Sequence, residues 1–337
     1  KSYLSNRSQS VRIHSILSDP LPLSHGVPQG AILSPLLFCI YLNDLPTVTT
    51  CELESYVDDS KLYLSFPVSN VEGAVQKLQN DLHEVATWCC ENELLINPDK
   101  TKFLLIGTRQ QLNKLEPTPS LSFLGKRLNP VPSAKDLGVY LDPNLTYNNH
   151  ITNVASSCFS KLCQINRVRS SFDSKTLNTL VNSLVFNKMT YCSSVWANTS
   201  ASNIKKLQLI QNFGCKIVTN KKKFDHVTPL LHQLNWLPVK DTVMFRDLVL
   251  MFKCMNNMAP GYLIEKFSKR SDVHKRQTRQ RDTLQIPFYK SAAGQRSFSF
   301  RAVHYWNNLN PNIKCAKTLK SFKLLLKKHL LQLSFNG

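Results

Sequence analysis

No Cys-x-x-Cys pair occurs among the ten cysteines of this chain, which removes the zinc module that such spacing announces. Most of the cysteines have apolar neighbours, as in Leu37-Phe38-Cys39-Ile40, where a free thiol acts as a small buried hydrophobe. A reducing compartment is therefore expected rather than a disulfide scaffold. Long apolar runs are also lacking. The longest, Leu36 to Leu42, falls far short of the roughly 20 residues a membrane helix needs, and no secretory signal pattern is seen. The reading is an intracellular protein with no membrane partner. Neither an internal repeat nor a low-complexity tract interrupts the chain. Acidic residues are scarce in one part only: residues 201 to 337 hold 25 Lys and Arg against 6 Asp and Glu, whereas residues 1 to 200 hold 17 against 16.

What is present is enough for a folded protein of two domains. The chain has 337 residues, 42% of them hydrophobic, which supports a core of real size. It opens on Lys1 with no Met, which suggests a piece of something longer. The one-sided basic block favours a polyanionic partner, because every neutralised phosphate releases counterions. Lys221, Lys222 and Lys223 are candidate phosphate contacts, and residues 266 to 281 carry seven basic side chains against Asp272 alone. The plainer alternative for both is a solvated basic surface.

The apolar pattern divides the chain near residue 143. Before it, residues 31 to 45 read as a buried helix with Pro35 in its first turn and Pro46 at its end. Leu53 to Tyr56 and Lys61 to Phe66 read as a hairpin, and Val71 to Glu91 as an amphipathic helix capped by Asn70. A turn at Asn97-Pro98-Asp99 leads to a strand from Lys102 to Ile106, and further short strands fall around Leu121 to Leu124 and Leu137 to Leu141. After Asp142-Pro143-Asn144 the period lengthens to about 3.6. Residues 148 to 169, 174 to 196, 202 to 219 and 239 to 258 then read as helices, with a last one from Leu319 to Leu333.

Two short patterns carry chemistry. Adjacent carboxylates at Asp58 and Asp59, on a turn between apolar strands, can hold Mg²⁺, which takes oxygen ligands in an octahedral array and leaves room for substrate phosphates. Asp-Asp is also ordinary turn chemistry. Strand neighbours face opposite ways, so the two cannot both meet one ion unless the chain turns there; Asp58, leaving the strand, is expected to be the better ligand and Asp59 to sit at the turn. Tyr56 is expected on the face of Asp58, either beside a reacting terminus or simply filling the sheet. Upstream, Gly26-Val27-Pro28-Gln29-Gly30 can offer backbone and an amide to a nucleotide. The histidines share no spacing for metal or relay use, and Trp88, Trp196, Trp236 and Trp306 read as core residues on helix faces.

With these residues in view the chain resembles the reverse transcriptase of a non-LTR, LINE-like (jockey/CR1-type) retrotransposon. Gly26 to Pro35 and the following Leu36 to Pro46 are similar to that family's motif B and its helix. Tyr56-Val57-Asp58-Asp59 matches motif C, Asn97 to Lys102 resembles motif D, and Leu137-Gly138-Val139-Tyr140-Leu141-Asp142 resembles the primer-grip hairpin. Leu234-Asn235-Trp236-Leu237-Pro238 and Trp306-Asn307-Asn308-Leu309 resemble downstream segments of such elements. The resemblance implies an α+β fold, in which a partial polymerase palm over residues 1 to 142 precedes a helical thumb over 143 to 258 and a basic C-terminal region over 259 to 337. It implies two-metal phosphoryl transfer, adding deoxynucleoside triphosphates to a DNA primer on an RNA template in cytoplasm and nucleus, with no protein partner indicated. Asp58 and Asp59 would bind Mg²⁺; Pro28, Gln29, Gly30 and Tyr56 would line the nucleotide and template pocket. Lys100 would stand near the triphosphate, against the equal alternative of a solvated turn lysine. Ala31 stands where Ser is usual and Ser34 where Gly is frequent, both tolerable departures. The further Asp of motif A and the fingers are not in the chain, so stand-alone turnover is not expected; the other reading is a catalytically dead nucleic-acid-binding remnant.

Overall fold

A computed structural model describes residues 2–273 and 281–335 and divides into two compact units. The first comprises residues 1–103 and 113–130, the second residues 104–112 and 131–337. Helices and strands are mixed, as an α+β protein requires, and among the described residues every sheet has two strands.

The first unit begins with two short antiparallel ladders, β1 (Arg7–Gln9) with β4 (Leu21–Leu23) around β2 (Arg12–Ile13) and β3 (Ile16–Leu17). Helix α1 (Ser34–Tyr41) follows, with Pro35 in its first turn, where the missing N–H leaves no bond unmade. It is shorter than the sequence pattern suggests and it is not buried: Ser34 is its one buried residue, and Ile40 is 63% exposed. Leu37 and Phe38 are half-buried, while Leu36, Cys39 and Ile40 are exposed. Strands β5 (Glu52–Tyr56) and β6 (Asp59–Tyr63) form the expected hairpin. Helix α2 (Val71–Glu91) is the unit's axis. Val85, Trp88 and Cys89 close over Leu45 and Leu53, while Val75, Leu78 and Leu82 lie on Leu121, Phe123 and Leu128 of the hairpin β7 (Leu121–Phe123) and β8 (Lys126–Leu128). Asn70 stands at the N-cap without making a capping bond. The strand anticipated over Lys102 to Ile106 does not form, because its one ladder contact is an isolated bridge from Phe103 to Pro130 and an extended run without a partner strand is not a sheet.

In the second unit β9 (Ala134–Asp136) and β10 (Val139–Leu141) make a hairpin of their own, so the strands near 121 and 137 belong to separate ladders rather than to one pair. Beyond it the chain is helical. Helix α3 (Asn148–Arg167) packs on α5 (Ala201–Val218) through Leu162, Leu207 and Cys215, all buried. Between them α4 (Ser174–Val181), capped by the Asp173 carboxylate on the Thr176 N–H at 3.0 Å, loosens into a π-helical turn, Asn182–Phe186, where one long helix to residue 196 was anticipated. Gly214 of α5 sits at this crossing: a Cβ there would stand 3.2 Å from Val181, 3.3 Å from Phe186 and 3.4 Å from Leu162.

A second core joins α6 (Val239–Met255), α7 (Phe298–Asn307) and α8 (Leu319–Phe335), with Phe252 stacked on Phe322 at 4.2 Å between ring centres. Inside it Asp247, fully buried, takes two bonds from Arg301, at 2.9 Å from Nη2 and 3.2 Å from Nε. Burial pushes the Asp247 carboxyl up, and the adjacent guanidinium opposes that push. All four tryptophans are buried, as core packing requires, although Trp236 lies in the loop after a short helix rather than on a helix face. Five cysteines are buried and all ten are free, but Cys39, in the most apolar setting by sequence, is exposed with the rest of α1. Of the basic stretch 266 to 281, residues 274 to 280 lie outside the described residues.

Candidate functional site

The hairpin that carries the aspartates turns in two residues. Tyr56 pairs with Asp59, leaving Val57 and Asp58 as the turn. This reverses the assignment made from strand alternation: Asp58 is at the turn and Asp59 opens the second strand. Cross-strand partners share a face, so Tyr56 stands beside Asp59, not Asp58. Val57 has φ +58° and Asp58 has no positive φ, the pattern of a type II′ turn, whose first position ordinarily holds Gly. A β-branched residue there costs about 1–3 kcal/mol. The turn thus holds two exposed carboxylates side by side on a strained backbone. Among the described residues no group of three His, Cys, Asp or Glu side chains could hold a metal ion. Asp58 and Asp59 are oxygen ligands of the right hardness, but two carboxylates do not complete a site for Mg²⁺.

What fixes the hairpin to its unit is Asp81, a buried carboxylate in the middle of α2. It accepts the backbone N–H of Thr50 at 3.0 Å and of Cys51 at 2.7 Å, together with the Thr50 hydroxyl. These are the residues that lead into β5. Burial alone would raise the Asp81 carboxyl, but the bonds from Cys51 and Thr50 outweigh it and hold the group below the usual carboxylate range. Sequence reasoning passed over Asp81; the signal available was an acidic residue interrupting the apolar face of an amphipathic helix.

The second pattern forms a turn of its own. Pro28 O accepts the Ala31 N–H at 3.4 Å, and Gly30 has φ +81° at the third position, which is the type II turn that demands glycine there. Ser34, at a position where the resemblance makes Gly frequent, is not idle. Its buried hydroxyl donates to Pro28 O at 2.5 Å and meets the Tyr3 hydroxyl at 3.1 Å, so the turn is tied to the start of α1. Arg7 braces the other side through His25 O and Gly26 O, at 3.2 and 2.7 Å. An open groove beside the turn is lined by Arg7, Leu23, His25, Val27, Pro28 and Gln29; neither the two aspartates nor Tyr56 nor Lys100 lines it. Gln29 and Gly30 are exposed. Lys100 is exposed in the turn closed by its own N–H to Asn97 O at 3.2 Å, and its neighbour Asp99 pairs with Lys126.

In the second unit Lys221, Lys222 and Lys223 form an exposed turn at the end of α5. The Lys222 N–H bonds to Asp225 at 2.7 Å, the Lys221 N–H to Lys216 O at 3.0 Å, and the Lys216 ammonium to Lys223 O.

Comparison with known proteins agrees with this sequence pattern. Residues 1–128 match the family described as reverse transcriptase (RNA-dependent DNA polymerase). A probable RNA-directed DNA polymerase from transposon BS of Drosophila melanogaster is 29% identical over 255 residues, 72% of this chain and 28% of that protein. The probable RNA-directed DNA polymerase from transposon X-element of the same fly is 27% identical over 252 residues, 72% of this chain and 27% of the relative. The RNA-directed DNA polymerase from mobile element jockey is 26% identical over 222 residues, 63% and 24%. The chain spans about a quarter of the length of these curated relatives. No solved structure matches it significantly.

Proposed function

We propose that this chain, a relative of the LINE-like reverse transcriptases through a reverse transcriptase domain in its first 128 residues, supplies the later palm and the thumb of an RNA-directed DNA polymerase of a retrotransposon. The observation that carries the reading is the Tyr56-Val57-Asp58-Asp59 turn, with two exposed carboxylates on a strained backbone, in a hairpin whose first strand is anchored at its start by Asp81 of α2. Residues 1 to 142 are read as palm, 143 to 258 as thumb and 259 to 337 as a basic extension. Asp58 and Asp59 are this chain's share of a divalent-ion site, for Mg²⁺, which takes at least one further carboxylate to complete. An ion held there supplies the positive charge that a transferring phosphoryl group needs. Tyr56, on the face of Asp59, flanks the primer end. The Pro28-Gln29-Gly30 turn presents backbone and amide to the incoming deoxynucleotide and the RNA template, and Lys100 stands toward the triphosphate. Lys221, Lys222 and Lys223 hold template or primer phosphates. The work is done inside the cell, in cytoplasm and nucleus.

Fusing the upstream polymerase segment of a relative to residue 1 tests the site. Such a fusion extends a DNA primer on an RNA template when Mg²⁺ is supplied, and Asp58→Asn or Asp59→Asn lowers the rate by several orders of magnitude. The 337 residues alone give no incorporation. Unchanged extension by either variant sinks the assignment. If the fusion stays inactive while the chain binds nucleic acid, the remnant reading takes its place.

A further inference from the structure

The basic turn after α5 carries a side chain that charge does not explain. Phe224 is 91% exposed and directly follows Lys221-Lys222-Lys223, with the Lys223 ammonium 5.7 Å from its ring centre. An aromatic ring in open water gives up apolar burial unless something covers it. The turn beneath it is built rather than loose: Asn220 has φ +51°, Asp225 accepts the Lys222 N–H, and Lys216 reaches back to Lys223 O. Phe224 is therefore presented by a braced backbone.

A second loop ends beside this one. Ser174 Oγ donates to Val218 O at 2.9 Å, which sets the connection between α3 and α4 against the last turn of α5. That connection holds Phe172, 42% exposed, between Arg169 and Lys175. Both loops thus alternate cationic groups with an exposed phenyl ring. Each loop has one acidic residue, Asp173 and Asp225, against Arg169 and Lys175 in the one and Lys221, Lys222 and Lys223 in the other, so cations outnumber carboxylates at both.

We infer that this end of the second unit is a binding surface for single-stranded nucleic acid, in which the lysines and arginine track phosphates and Phe224, with Phe172, stacks on unpaired bases. Cations alone serve a duplex as well as a single strand; exposed rings on a rigid turn serve only bases whose faces are free. The inference rests on the proposed phosphate role of Lys221, Lys222 and Lys223 but on neither Mg²⁺ nor polymerisation.

The test uses the whole chain in EDTA, with a 2-aminopurine-labelled single-stranded oligonucleotide and the duplex of the same sequence. The single strand binds more tightly and its fluorescence is quenched on binding, as stacking demands. Phe224→Ala weakens the single strand by roughly tenfold, removes much of the quench, and leaves duplex affinity and the salt slope unchanged. Phe224→Trp restores binding. Replacing Lys221, Lys222 and Lys223 by Ser reduces the salt slope for both probes. Equal affinity for duplex and single strand, an unquenched complex, or an unaltered Phe224→Ala variant overturns the inference. Because Phe224 is exposed, its variants fold, and a melting curve identical to wild type checks this. Loss of incorporation in the fusion described above, with these results intact, would count against the polymerase reading alone.

Discussion

Asp81 is the residue on which the hairpin's attachment turns. Its carboxylate answers the buried Cys51 N–H and the half-buried Thr50 N–H, so Asp81→Ala costs about 1–3 kcal/mol, read from a denaturant midpoint. The sign of its pH dependence follows from the direction of its shift. A carboxyl held below its unfolded value of roughly 3.9 adds stability that is complete above that pH and is lost as pH falls through the folded value. Acid titration of stability below about pH 5 is therefore steeper in the wild type than in Asp81→Asn. An equal slope in both would show that the bonds to Thr50 and Cys51 do not bind the charge. Val57 makes the opposite case. Since φ +58° suits glycine, Val57→Gly raises stability by about 1 kcal/mol, the relieved strain exceeding the added freedom of the unfolded chain.

Among the elements, legibility in the sequence tracked how local the deciding force is. The helices α2, α3, α5 and α6 were visible because an apolar stripe at helical spacing needs only one neighbouring surface. The hairpin was visible as two apolar runs about an Asp pair, but not its register. A two-residue turn with Val in the glycine position contradicts turn preference, so which aspartate pairs with Tyr56 emerged only from the ladder. The run from Lys102 to Ile106 failed for the reverse reason, having strand composition and no strand beside it. The helix expected to residue 196 widens into a π turn beside Gly214, continues to Met189 and breaks at residues 190 to 192, where Cys192 has φ +49°. Gly214→Val fills that crossing and lowers stability by about 1–3 kcal/mol, whereas the same change at exposed Gly125, φ +77°, leaves the core of the second unit untouched. Hydrogen exchange of the α5 amides separates the two.

For the molecule as a whole, charge and covalent order are unevenly matched to the fold. Residues 201 to 337 carry a balance of +19, residues 1 to 200 of +1, so affinity for any nucleic acid falls steeply with salt and is carried by the second unit. With about six phosphates contacted the fall is about a thousandfold between 50 and 200 mM salt, and neutralising Lys221, Lys222 and Lys223 flattens the logarithmic slope by up to ~3. A salt titration with a labelled oligonucleotide measures both. The ion pair between Asp247 and Arg301, with the stack of Phe252 on Phe322, joins α6 to helices that follow it only after residues 274 to 280. Order at this end is therefore set by a contact between residues 54 positions apart in the chain. Asp247→Ala leaves the Arg301 guanidinium in the core without its carboxylate and loosens α7 and α8 on α6, so their amides exchange hydrogen faster while those of α3 and α5 do not change.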